Sequence, residues 1–150
     1  MGTTKIAPSR TVGEIQKILG EYGASAIRVD YEKGEIIGVS FTVEIGGNQV
    51  PFRLPCRWKA LFIAIKNSYD GKRHESEFFE KRIPEWEEMA KRIAWRQILR
   101  WIEAQMALVE TEMVKTEEVF MPYLILDKGQ TLFERFQENG WQFQLEHKNK

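Results

Sequence analysis

The longest regular pattern of apolar and polar positions runs from Pro84 to Thr116 and predicts one long helix. At about 100° per residue, its apolar side chains cover roughly 220° of the circumference, so only a narrow polar stripe remains. That stripe carries Arg92, Arg96 and Arg100. A surface helix needs an apolar face of only about 100°, so we expect this helix to be covered by the rest of the chain or by a second subunit.

The first third of the chain predicts a helix followed by a sheet. Thr11 and Glu14 have the spacing of a capping box, which indicates a helix that begins at Thr11 and ends at Gly23. From Ala24 onward, apolar residues recur at every second position in three runs, separated by glycine-containing turns. Because Pro51 has no N–H, we place the third strand at an edge, which gives an antiparallel meander with the second strand in the centre.

The remaining segments are mostly helical. The spacing of apolar residues from Trp58 to Tyr69 predicts a second helix packed on the apolar face of the sheet, and residues 70–82, mostly charged, read as a mobile connection before Pro84 begins the long helix. After the long helix ends near Lys115, the expected features are a helical turn, extended backbone, a capped helix and a closing strand, at 117–120, 122–126, 131–140 and 141–145.

These elements predict one α+β domain over residues 1–150, with a helix, a three-stranded antiparallel meander, a second helix, a long central helix and a short C-terminal α/β segment. A chain of this length buries enough surface for a core of its own. Residues 1–10 and 146–150 show no apolar periodicity, so we expect them to be disordered.

Composition limits the partners and the cellular location that the sequence favours. The chain has 22 basic and 22 acidic residues, so its formal net charge is zero and any attraction to nucleic acid must be local. The single cysteine, Cys56, excludes an internal disulfide and is interpreted as a buried structural thiol. Without a signal sequence or a long apolar run, the chain is expected to be cytoplasmic and not membrane-bound.

The residues that usually perform catalysis are sparse. The chain has two histidines, one in the charged connection and one in the C-terminal tail, so no pairing of a nucleophile with a histidine is indicated. No metal-ligand spacing, phosphate-binding loop or dinucleotide fingerprint occurs. We therefore predict a non-catalytic protein without a cofactor or a metal.

Two surfaces could bind nucleic acid. On the long helix, Arg92, Arg96 and Arg100 have the spacing to follow successive phosphates, with Trp95 beside them to stack on a base. Surface ion pairs with Glu88 and Glu103 are the alternative reading of this stripe. On the sheet, the polar face should carry Arg28, Asp30, Ser40, Thr42, Gln49 and Arg53. The alternative reading is that this is an ordinary sheet face exposed to solvent.

The wide apolar arc of the long helix raises the question of assembly. Strands of ordinary length span about 17–20 Å, whereas a helix of about 30 residues extends about 45 Å. We therefore predict that the surplus around Trp95, Leu99 and Met106 is buried in a homo-oligomer, most simply a two-fold dimer. The competing interpretation is that the aromatic C-terminal segment folds back over this face.

The pattern A-W-R-x-x-x-x-W-x-x-A-Q at residues 94–105, together with the runs at 38–43, 51–55 and 118–123, resembles a family of small uncharacterised proteins encoded in phages, prophages and integrative elements. The similarity extends over nearly the whole chain. The resemblance implies an accessory protein of a mobile element, a class that commonly handles DNA or binds a host protein.

Two functions follow as hypotheses. The first is binding of single-stranded or structured nucleic acid through the arginine stripe and the sheet, an arrangement like the meander platforms of single-strand-annealing proteins. The second is a protein-binding module that inhibits or recruits a host factor. Zero net charge and five tryptophans favour the second, since aromatic residues concentrate at binding hot spots.

Overall fold

The computed structural model describes residues 5–70 and 76–142. It confirms the α+β class and the predicted order of elements. In chain order these are α1 (Pro8–Glu21), β1 (Ala24–Glu32), β2 (Glu35–Ile45), β3 (Asn48–Pro55), α2 (Lys59–Asp70), α3 (Ser76–Glu110), α4 (Thr116–Phe120), a 3₁₀ turn (Met121–Tyr123) and α5 (Leu132–Glu138).

The sheet is the predicted antiparallel meander, with β2 between β1 and β3. Both hairpins turn through two residues with positive φ, at Lys33 (51°) and Gly34 (81°) and at Gly46 (59°) and Gly47 (83°). Such turns match the right-handed twist of the flanking strands, which explains why short glycine-containing turns determine the register here. Pro51 lies in the edge strand, as predicted.

One face of the sheet packs on helices to form the main core. On this face Val39, Phe41, Phe52 and Leu54 of β2 and β3 are almost completely buried, whereas Ile27 and Val29 of β1 are half-buried. The residues of α1 and α3 that cover the centre of the face are buried as well. Phe120, which follows α3, adds its ring edge-on to Phe41 at a centroid distance of 5.0 Å. The core joins sheet and helices through Val12, Ile15, Leu19, Val39, Phe41, Phe52, Leu54, Trp95, Leu99, Ile102, Met106 and Phe120.

Helix α1 begins earlier than predicted. Pro8 occupies its first turn, the preceding Ala7 provides no side-chain cap, and Thr11 is fully buried inside the helix instead of capping it. Proline suits the first helical turn because its missing N–H has no intrahelical partner there. Residues 8–10, expected to be disordered, are therefore helical, while 146–150 lie outside the described residues. Gly23, with φ of 104°, follows the end of the helix as predicted.

Helix α3 also begins earlier than predicted, at Ser76. It is 35 residues long, so residues 76–82, interpreted as a mobile connection, are helical, and 71–75 lie outside the described residues. Pro84 sits inside the helix and not at its start. A proline inside a helix costs about 3 kcal/mol. The complete burial of nearby Trp86 shows that tertiary packing outweighs this cost.

The long helix ends at Glu110, before the predicted Lys115. Glu112 adopts a left-handed conformation with φ of 63°. The N–H of Met113 donates to the carbonyl of Leu108 at 2.9 Å, and the N–H of Glu112 donates to the carbonyl of Val109 at 3.0 Å. This is the hydrogen-bond pattern of a Schellman motif, here formed with a non-glycine residue.

Helix α2 does not pack on the sheet as predicted. Its main contact is with the first half of α3, where Ile65 forms a second buried cluster with Trp86, Ala90 and Ile93. Tyr69 stacks on Trp86 with a centroid distance of 4.9 Å and an interplanar angle of 14°. The extended first half of α3 therefore provides the surface that α2 covers.

The C-terminal segment follows the prediction in part. Pro122 and Tyr123 lie in the 3₁₀ turn and not in extended backbone, whereas Leu124 is extended and bridges to Phe52 of β3, and Ile125 bridges to Thr131. The capping box is confirmed: the Thr131 hydroxyl accepts from the Glu134 N–H at 3.2 Å, and the Glu134 carboxylate accepts from the Thr131 N–H at 2.8 Å. Trp141 is in a left-handed turn and not in a strand, while Phe143 and Leu145 lie outside the described residues.

Candidate nucleic-acid interface

The arginine stripe on α3 is partly neutralised by carboxylates. Arg96 donates from Nη1 to Oε1 of Glu14 on α1 at 2.9 Å, and its side chain is only 19% exposed. Arg100 is exposed, but it borders the same small hollow between α1 and α3 as Glu14 and Glu103. Within the stripe, Glu14 therefore neutralises Arg96, while Arg100 is exposed and forms no ion pair with a residue that the structure describes. The spacing of the arginines is as predicted, but the carboxylate next to Arg96 comes from α1 and not from α3.

Trp95 cannot stack on a base, in contrast to the prediction. It is 1% exposed and belongs to the main core, where Val12 and Ile15 of α1 are in the same buried cluster. Because α1 covers this part of the apolar arc, Trp95 lies beneath the surface and not beside the arginines. Its contribution is to folding.

The predicted oligomer surface is also buried within the chain. Trp95, Leu99 and Met106 are 1%, 3% and 1% exposed. Helix α1, the apolar face of the sheet and Phe120 of the C-terminal segment share the buried cluster with these residues, so the competing interpretation is correct in part. These three residues are therefore unavailable for a dimer contact, and the reason for expecting a dimer is removed.

The polar face of the sheet has the predicted composition, and its charges are paired. Arg28 donates from Nε to Asp30 at 2.7 Å, and the Ser40 hydroxyl donates to the other oxygen of the same carboxylate at 2.6 Å. Arg53 contacts the carbonyl of Gly129 and lies 3.6 Å from the Glu134 carboxylate. This face is opposite the one that packs on α3, so the sheet arginines and the arginine stripe do not form one surface.

A wide groove of about 820 Å³ lies at one end of the sheet. The β1–β2 turn, the chain that leaves β3, the start of α2 and the middle of α3 meet there. We call it the end groove. Its lining carries four cations, Lys33, Arg57, Lys59 and Lys91, three carboxylates, Glu32, Glu35 and Glu134, and the apolar side chains of Ile37 and Trp58. The meander explains this meeting, because the first turn and the end of the third strand lie at the same end of the sheet.

Lys91 is the one of these cations that carboxylates neutralise. Its ammonium group lies 3.1 Å from Glu88 and 3.3 Å from Glu35, and 4.9 Å above the ring centre of Trp58. Burial by itself would lower the pKa of Lys91, but the hydrogen bonds and charges of Glu88 and Glu35 outweigh it and raise the pKa. Lys91 therefore positions Trp58 and the β1–β2 turn and remains charged.

The other three cations of the end groove are exposed. Lys33 and Lys59 form no ion pair with any residue that the structure describes, and the Arg57 guanidinium lies 5.2 Å above the ring centre of Phe133. Within helix α2 the first backbone bond runs from the N–H of Phe62 to the carbonyl of Trp58. The N–H groups before Phe62 therefore have no intrahelical acceptor, and a helix N-terminus of this kind favours anions.

Cys56 borders the end groove as a buried thiol, as predicted. It is 8% exposed, and burial raises its pKa to about 12. Since the thiolate is the reactive form, we expect alkylation or disulfide exchange at about pH 8 to be at least ~100-fold slower in the native protein than in denaturant. Ellman's reagent measures both rates, with Cys56→Ala as the blank. Equal rates would show that the thiol is exposed.

No known protein family, characterised protein or solved structure matches this chain. Among residues 5–70 and 76–142, no helix is long and apolar enough to cross a bilayer. The same residues contain no group of three or more histidine, cysteine, aspartate or glutamate side chains that could hold a metal ion. The functional argument therefore depends on the geometry of the surface.

The end groove was missed from the sequence. Lys33 lies in the β1–β2 turn, Lys59 is the first residue of α2, and Arg57 comes two residues after the proline that ends β3. None of them belongs to a periodic stripe. The predicted meander does contain the signal, because it brings the first turn and the end of the third strand together.

Proposed function

We propose that this protein binds single-stranded or structured nucleic acid, and that the end groove is its contact surface. The observation that carries the proposal is the contrast between two sets of cations. Arg28, Arg53 and Arg96 each form an ion pair with a carboxylate, whereas Lys33, Arg57 and Lys59 form none with a described residue, although Glu32, Glu35 and Glu134 also line the groove. Unmatched cations gain most from phosphate, since they need not leave an existing partner.

The chemistry of the groove suits a nucleic-acid backbone. Phosphates would contact the three cations and the free N–H groups at the start of α2. Such contacts fix the position of a strand without reading its sequence. A local patch is sufficient, because binding depends on the counterions released at the contact and not on the net charge of the protein. We propose binding without catalysis, in the cytoplasm.

Fluorescence anisotropy with a labelled single-stranded oligonucleotide tests the proposal. The triple variant Lys33→Ala, Arg57→Ala, Lys59→Ala should weaken binding at least ~10-fold at low salt. It should also reduce the slope of log K against log salt by about 2, because each phosphate contact on a single strand contributes about 0.7. The matched control removes the same charge from exposed lysines outside the groove, with Lys17→Ala, Lys115→Ala and Lys128→Ala.

Two results would count against the proposal in different ways. No binding tighter than about 100 μM at about 50 mM salt, where counterion release helps most, would reject the function. Binding that survives the groove variant but is lost in Arg92→Ala, Arg96→Ala, Arg100→Ala would return the contact surface to the arginine stripe. Equal losses in the groove variant and the lysine control would show only a general charge effect.

A second candidate function is binding of a host protein, either to inhibit it or to recruit it. The observation that favours it is an exposed apolar face on α2 beside the end groove, with Ile63 54% exposed, Ile37 of β2 38% exposed, and Ala60 and Ala64 also exposed. A stoichiometric partner recovered from host lysate after nuclease treatment, and lost with Ile63→Glu, would support this function. Recovery that nuclease abolishes supports nucleic-acid binding.

A further inference from the structure

A smaller pocket of about 290 Å³ lies next to the end groove, between β3, α3 and the 3₁₀ turn. We call it the aromatic pocket, and its side walls include Arg57, Ala94, Gln97, Ile98, Trp101 and Tyr123. Arg57 lines both the aromatic pocket and the end groove. A ligand in the groove could therefore extend into the pocket past this guanidinium.

Two aromatic rings form the main apolar wall of the pocket. Trp101 meets Tyr123 edge to face, with a centroid distance of 5.9 Å and an interplanar angle of 70°. It meets Phe120 in the same way on the core side, at 5.9 Å and 74°. These contacts hold both rings in place, and no described ring is stacked parallel on either of them. A flat ligand could thus stack there without displacing a stacked ring.

The pocket also offers a hydrogen-bonding group. Gln97 is exposed, and its side-chain amide forms no hydrogen bond with any residue that the structure describes. Gln97 lies on α3 and lines the pocket. An amide both donates and accepts, as the edges of nucleobases do.

We infer that the aromatic pocket takes one unpaired nucleobase of a strand whose phosphates lie in the end groove. The inference rests on the proposed function and adds to it a preference for strands with unpaired bases. The base stacks on Trp101 or Tyr123, Gln97 bonds to its edge, and Arg57 binds the adjacent phosphate. A base in a duplex is already stacked and paired, so the pocket selects single-stranded segments, loops or ends.

The test compares three probes of equal length: a single strand, the same strand with abasic sites throughout, and a duplex. The wild-type protein should prefer the base-containing strand over the abasic one by about 5- to 100-fold, the effect expected of a stacked base. Trp101→Leu and Tyr123→Leu should reduce this preference towards one. The salt slope should remain unchanged, because the phosphate contacts are intact.

A second readout reports the base itself. A single 2-aminopurine in the strand should lose emission when it stacks in the pocket of the wild-type protein, and should lose much less with Trp101→Leu. Gln97→Leu keeps a side chain of similar size but removes the amide. It should change the order of affinities among the four homopolymer strands, while the binding that depends on the groove persists. Trp141→Leu, outside the pocket, is the matched control, and thermal unfolding verifies that each variant is folded.

The outcomes separate the inference from the proposed function. Equal affinity for the base-containing and abasic strands, with binding that still depends on Lys33, Arg57 and Lys59, would overturn the pocket and leave the function standing. Preference for the duplex would also overturn it. No binding of any probe would reject both. Recovery of a protein ligand that Trp101→Leu releases would assign the pocket to an apolar side chain instead.

Discussion

Replacing Trp95 by alanine is expected to lower the free energy of unfolding by about 3–5 kcal/mol, because it removes a large core side chain and leaves a cavity. Trp95 is 1% exposed and lies in the cluster that joins α1, α3 and the sheet. Closing the cavity would require all three layers to move. Urea unfolding followed by circular dichroism measures the loss.

The control is Trp141→Ala. Trp141 is 54% exposed but packs on Phe133 and Phe136 at centroid distances of 5.5 and 5.9 Å, so the same chemical change should cost less than at Trp95, about 1–2 kcal/mol. If Trp95→Ala were as stable as the wild type and bound nucleic acid more weakly, the result would support a Trp95 that stacks on a base. A loss of stability with unchanged binding per folded molecule supports the buried position.

Local features of this fold could be predicted from the sequence because nearby residues determine them. The two hairpins depend on Gly34 and on the pair Gly46 and Gly47, which adopt the positive φ that the turns require. The α5 capping box depends on Thr131 and Glu134, three residues apart. Each signal is complete within a few residues, so no knowledge of the tertiary structure was needed.

Packing partners could not be predicted in the same way. Apolar periodicity shows that a face is buried, but it does not show which element covers it. The pattern of α2 was therefore assigned to the sheet, whereas Ile65 packs against Trp86 on α3. The capping box at Thr11 failed for a related reason: Pro8 starts the helix one turn earlier, and Thr11 is fully buried.

The electrostatic surroundings of the arginine stripe could not be predicted, because charge matching is a tertiary property. Glu14 neutralises Arg96 although 82 positions separate the two residues, and Arg53 meets Gly129, 76 positions away. Glu88 stands four residues before Arg92 on the helix, and its carboxylate binds Lys91. The sequence showed the stripe and allowed ion pairs as its alternative reading, but it did not show that the partner of Arg96 is Glu14. The exposed cations at the end groove come from two separate segments, the β1–β2 turn and residues 57–59.

Two glycine substitutions to alanine should change stability in opposite directions. At Gly38, which is buried in the central strand, an added Cβ would lie 2.9 Å from the carbonyl oxygen of Leu54 and 3.4 Å from Cα of Pro55. Both are backbone atoms of β3, so the strand itself would have to shift. We expect Gly38→Ala to lower the free energy of unfolding by about 1–3 kcal/mol, the usual cost of overpacking.

Gly13 is the matched control, since the chemical change is identical and only the surroundings differ. It is exposed in the middle of α1, and a Cβ there would have no neighbouring atom within 4 Å. Gly13→Ala should raise the free energy of unfolding by about 0.5–1 kcal/mol, because alanine loses less backbone entropy in a helix. Urea unfolding of both variants measures the pair. Similar effects at the two positions would contradict the close approach of β2 and β3 at Gly38.

The close approach at Gly38 also shapes the end groove. Pro55 pairs with Gly38, and the chain leaves β3 there and brings Arg57 and Lys59 beside Lys33. A displaced β3 in Gly38→Ala should therefore weaken nucleic-acid binding as well, whereas Gly13→Ala should leave it unchanged.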